Sequence, residues 1–144
     1  MEKKEFLDTL KQRGAFMAPQ PHVGTINITN INLQKIHAAM LPKFLTDLYQ
    51  ACGGIKLGNG YIFGPSEFGK PGKHPIPDIY QINNELGNLP KLRGKTVFGR
   101  NDLFWFAFDA FGKCIMLDNL ELNTLRTYDD PYKAMMDCLA GGTI

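Results

Sequence analysis

The sequence predicts an α+β fold in which a single twisted, mainly antiparallel sheet has helices packed around it. Two observations lead to this class. Helical patterns open the chain, a β-rich stretch follows, and one more helical pattern closes it. Strands and helices do not alternate, so the crossovers of a parallel sheet are not indicated. The length of 144 residues is that of one domain, and residues 1–144 are treated as a single unit.

The first helix is predicted from apolar residues at helical spacing. Phe6, Leu7 and Leu10 recur on one face, and Gly14 follows them as a stop signal. Pro and Gly interrupt residues 15–29, and Ile26 and Ile28 within them favour a short extended piece.

Two more helices are predicted before the first strands. Asn32 can cap one whose apolar stripe runs to Met40, with His37 on or beside that stripe. Pro42 suits the first position of the next helix, which the glycine pair at 53–54 ends. The stripe of that helix consists of Phe44, Leu45, Leu48, Tyr49 and Cys52.

The strands are predicted from a turn signal and from period-2 alternation. Asn59 and Gly60, between short apolar runs, form a typical hairpin turn because both residue types tolerate a positive φ. Residues 103–108 are the strongest strand, and both of its faces are apolar. Trp105 is therefore expected in the core. Further strands are predicted near residues 96–98, 114–117 and 120–128.

One long loop and two helices complete the prediction. Residues 64–77 hold four prolines and three glycines, and loops of this length often carry function. Asp78 with Gln81 resembles a capping box and opens a helix. Pro131 suits the first position of the closing helix, which Gly141 ends.

Composition narrows the class of protein. Hydrophobic residues make up 44% and charged residues 21%, and no apolar run is long enough to span a membrane. Residues 1–5 lead into a charged stretch without a secretory signal, so a cytoplasmic location and no membrane partner are expected. Three cysteines without ligand spacing predict neither a disulfide framework nor a zinc site.

The net charge of +2 is unevenly distributed along the chain. Residues 41–100 carry eight basic and four acidic residues, whereas residues 101–144 carry three basic and seven acidic ones. The basic residues are scattered and no RNA-binding motif is present, so no nucleic-acid partner is predicted. The glycine-rich residues 53–72 lack a phosphate-binding motif, and no cofactor or metal ion is expected.

Catalytic chemistry is not indicated either. Ser66 is the only serine and lacks the nucleophile elbow of the α/β hydrolases. Cys114 lies in a predicted strand and Cys138 in the last helix, where both are interpreted as packing residues. His74 in the long loop is the one candidate base, and no acid can be named beside it. The prediction is that the protein is not an enzyme.

What remains is a group of exposed polar and aromatic residues near turns, which suits binding to another protein. The candidate partner-binding residues are Tyr61, Glu67, Phe68, Lys70, His74, Arg100, Asn101 and Asp102. The 64–77 loop and the 99–102 turn are expected to line one cleft beside the sheet.

Several segments resemble the SUKH superfamily, which includes fungal cell-wall assembly regulators and bacterial immunity proteins. Residues 41–54 are similar to its hallmark. In that hallmark a Leu-Pro pair comes first, a helix with buried aromatic and aliphatic side chains follows, and a glycine pair ends it. The resemblance covers about residues 30–140 and leaves residues 1–29 as an N-terminal helix and extension. It continues at residues 62–65, 98–108, 112–113 and 129–139.

The resemblance implies an α+β fold and binding to a protein rather than catalysis. For bacterial members it implies neutralisation of a toxin, so the expected function is a non-catalytic immunity protein that occludes its toxin sterically. Two alternatives stay open. One is a small-molecule-sensing or regulatory domain with an apolar pocket near Trp105, and the other is a small hydrolase-type enzyme that uses His74.

Overall fold

The structure is a computed structural model that describes residues 1–70, 73–87 and 89–140, without the side chains of Lys70, Lys73 and His74. Gly141, predicted to end the last helix, lies outside the described residues. The helices are α1 (Lys3–Gln12), α2 (Val23–Lys35), α3 (Lys43–Tyr49), α4 (Ile79–Leu86), a short 3-10 helix (Pro90–Leu92) and α5 (Pro131–Leu139). The strands are β1 (Phe16–Met17), β2 (Ile55–Leu57), β3 (Gly60–Ile62), β4 (Phe68–Lys70), β5 (Lys73–Ile76), β6 (Thr96–Arg100), β7 (Phe104–Phe108), β8 (Cys114–Asp118) and β9 (Thr124–Tyr128).

Seven of these strands form one antiparallel sheet in the order β1-β2-β3-β6-β7-β8-β9. Consecutive strands of the chain are neighbours throughout, except that the chain leaves the sheet between β3 and β6. On that excursion β4 and β5 pair with each other, and α4 and the 3-10 helix follow. The predicted α+β fold, with helices around a mainly antiparallel sheet, is confirmed.

Helix α5 lies close against one face of the sheet. It contacts β3, β6, β7, β8 and β9, and α1 packs against it in turn. Glycines on two strands make this approach possible: a Cβ on Gly60 would lie 2.5 Å from the Cys138 carbonyl oxygen. A Cβ on Gly99 would lie 3.1 Å from the Cys138 sulfur. Helix α4 contacts β6 and α2.

The core is aromatic and was largely predicted. The stripe of α3 is buried as expected, and the Tyr49 hydroxyl donates a hydrogen bond of 2.6 Å to the Phe63 carbonyl oxygen. Phe44 meets Phe98 edge-on, with ring centroids 5.5 Å apart. The fully buried phenylalanines are Phe6, Phe63, Phe98, Phe106 and Phe108.

The prediction for residues 15–36 is wrong. Helix α2 spans Val23–Lys35, where the sequence favoured an extended piece followed by a helix from Asn32. His37 is exposed and has a φ of 60°, so it terminates the helical region instead of lying on an apolar stripe. Isoleucine, threonine and asparagine are weak helix formers, and packing overrides that preference. Thr29, for example, is buried and donates to the Pro65 carbonyl oxygen at 2.9 Å.

Four smaller differences concern single elements. The 64–77 segment is not only a loop, because Phe68 in β4 pairs with Ile76 in β5. Pro42 occupies the N-cap position of α3, and Lys43 is the first residue of the helix. Trp105 is half-buried and not part of the closed core. The two-residue strand β1 was not predicted.

Within the described residues, no helix has both the length and the apolar character that a bilayer crossing requires.

Candidate functional site

Strand pairing places five side chains in one line across the sheet. Phe16 is the register partner of Lys56, and Lys56 is that of Tyr61. Tyr61 is paired with Arg100, and Arg100 with Trp105. Cross-strand partners point to the same face of a sheet. These five residues, which we name the cation–aromatic row, therefore alternate between aromatic and cationic side chains.

The row lies on the face opposite α5. Side chains alternate between faces along a strand, and Gly60 and Gly99 face α5. Tyr61 and Arg100, their chain neighbours, therefore point to the other side. Arg100 is exposed, and the other members of the row are half-buried, so all five side chains are at least partly accessible to solvent.

The two cations are held over the two neighbouring rings. The Arg100 guanidinium carbon is 5.5 Å from the centre of the Trp105 ring. The Lys56 ammonium is 5.2 Å from the Tyr61 ring centre and donates to the Gly58 carbonyl oxygen at 2.6 Å. Cation–π contacts of this kind restrict long side chains that are otherwise mobile. The two cation–π contacts therefore order the row in the protein by itself.

The positive charge of the row is not neutralised by the protein. Among the described residues, no carboxylate lies within ion-pair distance of Lys56 or Arg100. The Arg100 guanidinium also makes no hydrogen bond to the described part of the chain. Its planar array of N–H donors is thus available to an external acceptor.

The β4–β5 hairpin extends the row at one end. The Phe68 ring stacks on the Phe16 ring, with centroids 5.8 Å apart, and 39% of Phe68 remains exposed. Glu67, next to it, is exposed. The structure thus brings together Tyr61, Phe68 and Arg100 of the predicted set. The predicted side chains of Lys70 and His74 lie outside the described atoms.

Asn101 is placed in the turn after Arg100 and is buried. Its side-chain amide donates to the Cys138 carbonyl oxygen at 3.1 Å. Its side-chain oxygen accepts hydrogen bonds of 2.9 Å from the backbone N–H groups of Leu103 and Phe104. These bonds fix the turn between β6 and β7, so the Asn101 side chain stabilises the backbone next to Arg100 and is not itself part of the exposed surface.

Asp102 is exposed at the same turn and accepts a hydrogen bond of 2.7 Å from the Asn59 amide. A cleft of about 600 Å³ opens here. Its lining residues are Arg13, Leu57, Gly58, Asn59, Gly60, Asn101, Asp102, Leu103, Leu139 and Ala140. It contains the predicted turn residues Asn101 and Asp102, whereas the 64–77 segment, expected in the same cleft, does not line it. Trp105, beside which an apolar pocket was considered, does not line it either.

The cysteine thiols of the structure are suited to packing. Cys52, Cys114 and Cys138 are free and buried. Burial raises the pKa of the Cys114 thiol to about 12 and also raises the pKa values of Cys52 and Cys138. They therefore stay protonated near neutral pH, whereas a thiol nucleophile reacts as the thiolate. No group of three or more potential metal ligands occurs among the described residues.

Sequence reasoning missed Phe16, Lys56 and Trp105 as site residues. A signal existed for Lys56, because it alternates with the buried Ile55 just before the hairpin turn. For Phe16 the sequence offers no signal, since a strand of two residues has no periodicity.

Comparison with known proteins gives no further information about the role of these residues. The chain matches neither a protein-family model nor a curated protein.

Proposed function

We propose that the protein is a non-catalytic protein-binding module and that the cation–aromatic row, together with Phe68, is its partner-binding face. The observation that carries this proposal is the ordered but unneutralised Arg100 over Trp105, beside Tyr61. Tryptophan, tyrosine and arginine are the residues that most often dominate the energy of protein interfaces. Here all three lie side by side on accessible strands.

The rigidity of this face also supports binding. The row crosses the sheet from β1 to β7, so strand pairing fixes its backbone. The cation–π contacts then limit the conformations of the Lys56 and Arg100 side chains. A surface that is ordered in the free protein loses less conformational entropy on association.

The biological role that we propose is neutralisation of a toxin in the bacterial cytoplasm by steric occlusion. The resemblance of residues 41–54 to the SUKH superfamily supports this role. Three free, buried cysteines fit a reducing compartment. The partner would lie across the cation–aromatic row and lose access to its own substrate.

The test is co-expression with the product of an adjacent gene, scored by growth and by co-purification. The wild-type protein is expected to restore growth and to co-purify with that product. The double variant Tyr61→Ala and Trp105→Ala is expected to lose about 2 kcal/mol or more of binding free energy and to fail in both assays.

The matched control is Phe111→Ala, which removes an aromatic ring that is 96% exposed and lies outside the row. This variant is expected to behave like the wild type, and thermal unfolding checks that all variants are folded. Failure of the wild type to bind or protect overturns the role in toxin neutralisation. Equal behaviour of the double variant and the wild type overturns the assignment of the face.

A further inference from the structure

The Arg100 side chain has the features of a recognition site for an oxyanion. It is exposed, it is held 5.5 Å from the Trp105 ring, and it makes no ion pair with a described carboxylate. The nearby Asp102 side chain is hydrogen-bonded to Asn59 instead. A guanidinium held over an aromatic ring and without an ion-pair partner has N–H donors free for a carboxylate, which it can bind with two parallel hydrogen bonds.

We propose that Arg100 binds a carboxylate in an extended acidic segment of the partner protein and that Lys56 binds a second carboxylate of the same segment. This inference rests on the proposed function and specifies the chemistry of the partner. The two cations share the row, and Tyr61 lies between them. The partner segment is therefore expected to run across the strands, along the row.

The spacing of the two cations fits an extended acidic segment. Lys56 and Arg100 lie two strands apart, which corresponds to a backbone separation of about 10 Å. An extended chain with an acidic residue at every second position presents a carboxylate about every 7 Å on one face. The lysine and arginine side chains are long and flexible enough to compensate for the difference between the backbone separation of the two cations and the spacing of the carboxylates.

A single-stranded nucleic acid fits the row less well. Sheets that bind such strands use open aromatic ring faces on which the bases stack. Here Lys56 and Arg100 already lie over the rings of Tyr61 and Trp105, and Phe16 and Phe68 stack on each other. The N–H donors at the edge remain free, and they select for an acceptor such as a carboxylate.

The experiment is an NMR titration of the full chain with a peptide of alternating Glu and Ser residues. A peptide with Gln in place of Glu is the neutral counterpart. The Arg100 side-chain N–H and the Trp105 indole N–H signals are expected to shift with the acidic peptide and not with the neutral one. Arg100→Lys keeps the charge but loses the planar donor pair, so its Kd is expected to rise about three- to tenfold.

Arg93→Lys is the matched control, because Arg93 is also exposed and lies outside the row. It is expected to leave the Kd unchanged. Equal shifts with both peptides, or equal effects of the two lysine variants, overturn the inference. Tighter binding of single-stranded oligothymidine at the same signals overturns it in favour of a nucleic acid. If Tyr61→Ala with Trp105→Ala abolishes binding of the adjacent-gene product while Arg100→Lys does not, the proposed function stands and the carboxylate assignment fails.

Discussion

At the scale of single residues, Asp137 joins α5 to the edge of the sheet. Its carboxylate accepts hydrogen bonds from the Tyr128 hydroxyl at 2.8 Å and from Arg126 at 3.1 Å. Lys133 lies 3.5 Å away on the same helix. Burial, and secondly the contact with Asp137, raises the pKa of Tyr128 and keeps its hydroxyl a donor. A buried carboxylate with such partners stabilises the fold only while all of them are present.

Asp137→Asn is expected to lower the free energy of unfolding by about 1–3 kcal/mol, because the amide leaves Arg126 without its charged partner. Urea denaturation measures the difference. Asp129→Asn is the control, since that carboxylate is fully exposed and lies 3.6 Å from Lys113. Its effect is expected to stay within about 0.5 kcal/mol. Similar losses of unfolding free energy in the two variants would contradict a stabilising role of the Asp137 hydrogen bonds.

The Asp118 carboxylate makes the stability of the folded protein depend on pH. Its carboxylate accepts backbone N–H bonds from Glu121 at 2.6 Å, Asn123 at 2.8 Å and Leu120 at 3.0 Å. These bonds, with that from Glu121 the strongest, lower the pKa of Asp118 because they favour its charged form. The folded protein therefore gains stability above the unfolded-state pKa of about 3.9 and loses it as the pH falls toward the folded-state value.

Asp118→Asn is expected to be less stable than the wild type at neutral pH. The gap in unfolding free energy should shrink as the pH is lowered from about 5 to about 3, since the wild-type carboxyl then becomes neutral as well. Urea denaturation at a series of pH values measures this gap. A gap that stays constant over this range would show that the charge of Asp118 does not support the turn.

Single-residue predictions from sequence succeeded where the interaction is local. Asp78 accepts hydrogen bonds from Tyr80 and Gln81 at the start of α4, and Pro131 opens α5, both as their positions indicated. The partners of Asp137 lie on β9 as well as on α5. Such a partnership depends on how the helix is placed on the sheet, and no sequence spacing encodes it.

At the scale of elements, the approach of α5 to β3 depends on the missing side chain of Gly60. Gly60→Ala is expected to destabilise the protein by about 1–3 kcal/mol, because its Cβ would lie 2.5 Å from a carbonyl oxygen of α5 and force the helix outward. Thermal or urea unfolding measures the loss.

Gly24→Ala is the matched substitution for this test, since Gly24 lies within α2 and has no atom within 4 Å of the added Cβ. Alanine favours helix, so this variant is expected to be neutral or slightly more stable. A loss of the same size as in Gly60→Ala would contradict the packing explanation.

The elements predicted best are those with strong periodicity or clear end signals. Helices α1, α3, α4 and α5 and the β2–β3 hairpin were predicted within a few residues of their observed bounds. Helix α2 was not, because its sequence favours strands locally and its helical form depends on buried contacts of Thr29 and Leu33. Strands β4 and β5 were not predicted, because the prolines of this segment, among them Pro75 within β5, are unusual in strands.

At the scale of the whole molecule, the cation–aromatic row could not be predicted from sequence. It exists because β3 pairs with β6, which brings Tyr61 beside Arg100 across 39 residues of chain. Three of the predicted partner-binding residues were nevertheless found on this face, because their residue types and nearby turns indicated exposure. Their common face, and the inclusion of Lys56 and Trp105, follow only from strand order and register.

The three buried cysteines report on whether the molecule unfolds as one unit. Cys52 follows α3, Cys114 lies in β8 and Cys138 in α5, and all belong to one hydrophobic core. A short pulse of a thiol reagent at increasing urea, read by mass spectrometry, is expected to label all three over the same concentration range. Labelling of Cys138 at lower urea would show that α5 opens separately from the sheet.

The excursion between β3 and β6 adds a variable end to the proposed binding face, whose other residues lie on the sheet. Phe63, Ile79 and Leu92 of this excursion belong to the hydrophobic core, whereas residues 66–69 are exposed, so the sequence of these exposed residues can diverge without changing the register of the seven strands. They nevertheless supply Phe68 to the end of the row. A lineage that substitutes these exposed residues changes the end of the row on an unchanged sheet and core, so the specificity of the proposed binding face can evolve separately from the fold.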